Sequence, residues 1–216
     1  PRTVRFQVNE ADPQDTYARL YSDEVVRLIN GLRLPRYGLG NYRAPFIDSR
    51  PSKSEQERID NLSRAGQRLM GFSRTNLLKR LESGGPAFLQ SIDRHILRNY
   101  VFLHAIEHGL DVPIGTQEPE LLDPGETDLD VANSDEETAV VEETEVSIGD
   151  DAAYRRRAEA VYAQYVGRWK RRFNWLRPSL FDDRLRQHLQ SDAQSLMKIL
   201  QHAGPWDVAR DAKLGE

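Results

Sequence analysis

The sequence predicts a mainly α-helical chain: a bundle of about five or six helices with a short N-terminal strand or extended arm. Three observations predict it. Apolar residues recur at three- and four-residue steps through most of the chain, the longest series being Phe88, Leu89, Ile92, Ile96, Tyr100 and Leu103. Two-residue alternation is read in one stretch, residues 3–8. Glycine and proline sit at the joints, as in Gly84-Gly85-Pro86, Arg177-Pro178 and Gly204-Pro205, where they end or start helices.

Taken in order, Val4, Phe6 and Val8 alternate with Arg5 and Gln7, which is strand period. A lone strand must join a sheet or pack as an extended arm. Asp12 and Pro13 read as N-cap and first helical residue. Tyr17, Leu20, Tyr21, Val25 and Leu28 then mark one amphipathic helix to Gly31. Residues 32–51 are rich in Gly, Pro and Arg; Tyr37, Tyr42 and Phe46 make them an irregular but ordered loop. Ser52 with Glu55 forms a capping box, opening a helix through Ile59, Leu62 and Leu69 to Met70. Phe72 can staple onto Leu77 across an N-cap at Ser73, opening a second short helix with Leu77, Leu78 and Leu81 on one face.

Pro86 suits the first turn of a helix of about six turns, and Gly109 is a natural stop. Gln90, Arg94 and Arg98 line a second, polar face of it. Residues 152–176 read as one long basic helix, with Tyr154, Ala158, Val161, Tyr165, Trp169 and Phe173 as its apolar stripe; Arg177-Pro178 breaks it. Residues 181–203 form a further helix with Leu185, Leu189, Leu196 and Leu200 as the seam. Residues 206–216 read as the first turns of another. The two long helices, 86–108 and 152–176, are expected to pack together near the centre.

The 216 residues suffice for one domain with a real core. Cysteine is absent, so disulfides and thiolate chemistry are excluded. No apolar run is long enough to span a bilayer, and PRTVRFQVNE has no signal-peptide core; the expectation is a cytoplasmic chain with no membrane partner. It starts without Met and stops inside a helical pattern, as a piece excised from a larger protein would. The net charge of -4 hides an asymmetry. Residues 117–151 carry fourteen acidic and no basic residues, leaving 30 basic against 20 acidic elsewhere, a surplus of +10. Low hydrophobicity with one sign of charge predicts an acidic flexible loop at 117–151; the basic remainder is compatible with nucleic-acid work.

No GxxxxGK[ST], strand-linked GxGxxG or GxSxG occurs, so no catalytic residue and no cofactor are assigned. The glycines of RYGLGNY do not open a helix, which argues against phosphate cradling there. His104-Ala-Ile-Glu107-His108 matches the HxxEH of inverted zinc peptidases. Against zinc, Gly109 ends the helix immediately, and beyond the acidic stretch the remaining Glu residues are Glu159 and Glu216; no metal ligand is assigned. The strongest chemical signal is basic: Arg155, Arg156, Arg157, Arg168, Lys170, Arg171 and Arg172, joined by Arg74, Lys79, Arg80, Arg94 and Arg98. Such side chains neutralise phosphates without reading sequence. Trp169, Phe173 and Trp175 interleave with them, but the helical stripe assigns these rings to packing. The competing uses of the cations are a solvated face, or a clasp for the acidic loop in a protein-interaction or autoregulatory helical domain.

The order FSRTNLLKRLESGGPAFLQSIDRHILRN, HGLDVPIGT, an acidic tract, YRRRAEAVYAQY, WKRRFNWLRPSLFD and GPWDVARDAKL resembles the inter-lobe region of bacterial Swi/Snf-type superfamily-two DNA helicase-like ATPases. It is most similar to the branch found with phospholipase-D-like domains and in DISARM-type anti-phage systems. TVRFQVNEADPQDTYARLYSDEVV resembles the segment these proteins carry after their first RecA-like lobe. The resemblance implies a helical module that joins two RecA-like lobes and contacts double-stranded DNA. ATP and Mg would belong to the parent protein. The family's ATP-binding lysine, Asp-Glu box and arginine fingers have no counterpart here, so the resemblance implies no enzymatic activity for this stretch.

Overall fold

In a computed structural model, the described residues are 8–9, 11–12, 15–45, 50–115 and 150–204. The expected N-terminal strand (apart from Val8), Pro13, Phe46, the acidic stretch before Asp150 and the helix at 206–216 lie outside them. The architecture is mainly helical, as the sequence predicts. Among the described residues there are six α-helices, α1 (Thr16–Leu20), α2 (Asp23–Gly31), α3 (Lys53–Ser83), α4 (Gly85–Glu107), α5 (Asp151–Gly167) and α6 (Asp183–Ala203), with two short strands, β1 (Val112–Ile114) and β2 (Asn174–Leu176). No helix among them is long and apolar enough to cross a membrane.

The N-terminal helix is two helices. It starts at Thr16, because Asp15, not Asp12, accepts from the Ala18 N–H at 3.0 Å. It breaks at Tyr21 and Ser22, and Ser22 caps α2 by accepting from the Val25 N–H. Further on, two expected helices are one. Ser73 is not an N-cap but a buried residue inside α3. Ile59, Leu62, Gly66, Leu69, Ser73, Leu77 and Leu81 are all buried, a single i, i+3/i+4 stripe that runs straight past Gly71. Tertiary burial of that stripe outweighs the ~1 kcal/mol that a glycine costs inside a helix.

The capping box at Ser52 and Glu55 forms as expected. Glu55 does more: both its carboxylate oxygens accept from Arg177, at 2.7 and 3.1 Å. Hydrogen bonding to Arg177 is the main reason its pKa falls to about 2, burial opposing it. The depressed value means that stability from ionised Glu55 is complete above the ordinary value of 4.5 and is lost as pH falls through about 2. Glu55→Gln should therefore cost ~1 kcal/mol at neutral pH. In acid titrations of urea unfolding, its gap from the native protein should close between those two values; a gap that persists below pH 2 would refute the assignment.

The loop between α2 and α3 is packed down on α3. Gly40 lies against Ser63, where an added Cβ would sit 2.0 Å from its Oγ and 2.5 Å from its Cα. Gly66 faces the Tyr37 carbonyl and Gly38 in the same way, at 3.2 Å. The RYGLGNY glycines thus serve close backbone approach. Farther back in the loop, the buried Asp192 of α6 accepts from the N–H groups of Arg33 and Leu34, at 3.0 and 2.7 Å.

At the centre lies α4, fifteen of whose 23 residues are buried. It packs against α5, as expected from the two long apolar faces, but its most extensive contact is with α6, and α3 covers a further side. One apolar core runs through all of these helices. After α4, β1 pairs antiparallel with β2 in the register Val112↔Leu176, Pro113↔Trp175, Ile114↔Asn174.

Candidate nucleic-acid interface

The basic helix is shorter than its sequence suggests. α5 stops at Gly167, where the Arg168 and Trp169 N–H groups both donate to the Gln164 carbonyl. A 3-10 turn (Lys170–Arg172) follows, then β2. The helical period is overridden by strand pairing: Asn174-Trp175-Leu176 is a β-prone run with an edge to join at β1. The consequence for chemistry is that the cations of residues 155–172 divide into two groups with different surroundings.

The first group is paired with carboxylates along the contact between α5 and α4. Arg157 donates to both oxygens of Asp93, at 3.0 and 2.9 Å, and stacks over the Tyr154 ring. Tyr154 also donates its hydroxyl to Asp93. Burial opposes the charge on Arg157, but the bonds to Asp93 outweigh it and hold its pKa above the ordinary value. Burial, then the Asp93 charge, pushes the Tyr154 phenol up. Arg155 bridges Asp151 at 2.8 Å and Glu107 at 2.7 Å, over the Tyr100 ring. Tyr100 donates to Asp151, which lowers that carboxyl below its usual value. Arg155 and Arg157 therefore hold α5 to α4, and the assignment of Arg157 to phosphate contact is corrected: its fork already grips a buried carboxylate bidentately.

The second group is exposed. Arg156 is solvent-exposed, as are Arg168, Lys170, Arg171 and Arg172. The 3-10 turn buries none of its three cations. Arg168 lies over the buried Trp169 ring at 5.7 Å. Four cationic side chains thus project within five consecutive residues. Trp169 and the half-buried Phe173 pack on the core, as expected, although from the turn and not from a helix.

The cations of α3 and α4 divide similarly. Arg74, expected to contact phosphate, is half-buried and donates to the Leu32 carbonyl, tying α3 to the end of α2. Lys79 is exposed, and Arg80, Arg94 and Arg98 are half-buried. Polar residues not singled out in the sequence occupy the same helix: His95 and Asn99 are buried and accept from Arg36, at 3.0 and 2.9 Å. Asp93 was missed for a simple reason. A lone acid within an apolar period reads as surface until its two partners, 61 and 64 residues away, are known.

The HxxEH residues are engaged with protein partners. Glu107 is bound to Arg155. His108 donates its Nδ1 to the His104 carbonyl at 2.8 Å, on the last turn of the helix. Burial, then the neighbouring His108, lowers the His104 pKa. Among the described residues no three His, Cys, Asp or Glu side chains converge as metal ligands would. No protein-family model, curated protein or solved structure matches the chain.

Proposed function

We propose that this chain is an accessory helical module of an ATP-dependent DNA translocase, joining two RecA-like lobes of one polypeptide and gripping duplex DNA through its phosphates. ATP and Mg bind the parent's lobes in this reading, and the module holds no nucleotide. Support comes from the resemblance in motif order and from one structural observation, which carries the contact: Arg168, Lys170, Arg171 and Arg172 project from a single turn with none of them buried. Cations so placed neutralise phosphates and release counterions. Arg156 and Lys79 are the remaining exposed candidates, with half-buried Arg80, Arg94 and Arg98 as a second edge in this reading.

Fluorescence anisotropy on random duplex at rising salt tests this. Affinity should fall linearly on a log–log plot, and Lys170→Glu with Arg171→Glu should flatten the slope by about two phosphates' worth, near 1.8. A flat salt response overturns the contact. A second reading rests on charge: residues 117–151 carry fourteen acidic and no basic residues against a surplus of +10 elsewhere, and that stretch masks the basic face. Deleting residues 117–149 keeps Asp151 and separates the two. Tighter duplex binding favours masking, and unchanged binding rejects it.

A further inference from the structure

The exposed cationic turn is not bare charge, because it is built onto a run of aromatic rings in continuous contact. His104 meets Tyr162 at 5.3 Å between centroids, and Tyr162 meets Trp175 edge-on at 6.0 Å. Trp175 meets Phe173 at 6.0 Å, and Phe173 stacks on Tyr165 at 4.3 Å. Tyr165 then meets Trp169, over which the Arg168 guanidinium lies. Tyr162, Tyr165 and Trp169 are buried, and they form the inner layer. Trp175 and Phe173 are the half-open outer layer.

Trp175 is fixed in two ways. Its backbone is paired with Pro113 in the two-stranded sheet, and its indole N–H donates to the Lys170 carbonyl at 2.9 Å. The ring is thereby held beside the residue that begins the cationic turn. Among the described residues, the two large apolar side chains left most open, Leu110 and Val166, lie at the ends of the same two helices from which this sheet departs. A duplex presents phosphates but keeps its base faces stacked against one another, so it has no use for such rings. A single strand presents both a phosphate row and free base faces.

We infer that this turn and sheet form a binding site for single-stranded nucleic acid, in which bases stack on Trp175, with Phe173 beside it, and phosphates lie along Arg168, Lys170 and Arg171. The site rests on the polyanion reading of the same turn and extends it from backbone grip to base stacking. A rigid aromatic platform flanked by cations binds single strands without sequence preference, since every base offers a π-face.

Titration of the whole chain with a short oligothymidylate, and with random duplex of equal length, tests this by anisotropy and by tryptophan fluorescence. The single strand should bind more tightly than the duplex and quench the emission. Trp175→Ala should weaken single-strand binding by about 5- to 150-fold, the range equivalent to one stacked base, while its salt slope stays unchanged. Lys170→Glu should reduce the salt slope on both ligands. Trp175→Phe keeps a stacking ring and should retain single-strand binding while losing the quench, which gives a result even where the alanine variant does not fold. Equal affinity for both ligands, or a quench that survives Trp175→Phe, overturns base stacking and leaves the duplex reading standing. Binding to neither ligand overturns both.

Discussion

Asp93→Ala is expected to lower the unfolding free energy by ~3–5 kcal/mol, measured by urea denaturation with an unchanged denaturant slope. Asp93 is 3% exposed and its carboxylate accepts three hydrogen bonds, one from the Tyr154 hydroxyl and two from the Arg157 guanidinium. Deleting it leaves a guanidinium whose side chain is 16% exposed with no countercharge, and it leaves a buried phenol without its acceptor. Removing one partner is what costs, because the desolvation of the other remains. Asp93→Leu combined with Arg157→Met should therefore regain the part of the loss due to the stranded guanidinium, since both charges leave the interior together, while the Tyr154 hydroxyl still lacks its acceptor. A loss below ~1 kcal/mol for Asp93→Ala would mean that Arg157 finds another acceptor.

Gly40→Ala should cost ~2–4 kcal/mol by the same measurement, through a different mechanism. The new methyl would lie 2.5 Å from the Ser63 Cα and 2.6 Å from its nitrogen, so the loop must lift off α3. Because the obstruction is backbone, shortening the neighbour with Ser63→Gly should not restore stability. Gly71→Ala is the control within the same region: nothing lies within 4 Å of the added methyl, and a helix interior favours alanine by up to ~1 kcal/mol. It should stabilise. If both glycine variants behaved alike, the close approach of the loop to α3 would be wrong.

How far the sequence was legible follows from what each signal measures. The period of Phe88, Ile92, Ile96, Tyr100 and Leu103 reports one buried face, and α4 followed from it together with its stop at Gly109. Local signals for ends were less reliable where tertiary burial crossed them. Phe72-Ser73 carries the chemistry of a helix start, yet a stripe buried on both sides of it keeps α3 continuous. Tyr21-Ser22 shows the reverse, an apolar period that hides a break. The period overstates α5 because its stripe continues in phase through Trp169 and Phe173, and nothing local reveals that residues 174–176 have β1 to pair with.

For the candidate interface, composition identified the arginines but could not sort them. Arg156 and Arg157 are neighbours in sequence, one open to solvent and the other locked on Asp93. That division depends on helix phase relative to α4, a property of packing. The helical period places Trp175 on a core stripe; because the helix ends at Gly167, the ring sits instead at the rim beside Lys170.

The enclosure of α4 has a consequence for how the molecule opens. With α3, α5 and α6 laid against it and fifteen of its residues out of water, its amide hydrogens have no route to exchange by fraying. Deuterium should enter residues 91–105 only when the whole assembly comes apart, so their exchange rates at mild pH report the global free energy. The outer helices, each with a wet side, exchange sooner through partial openings that leave this axis intact.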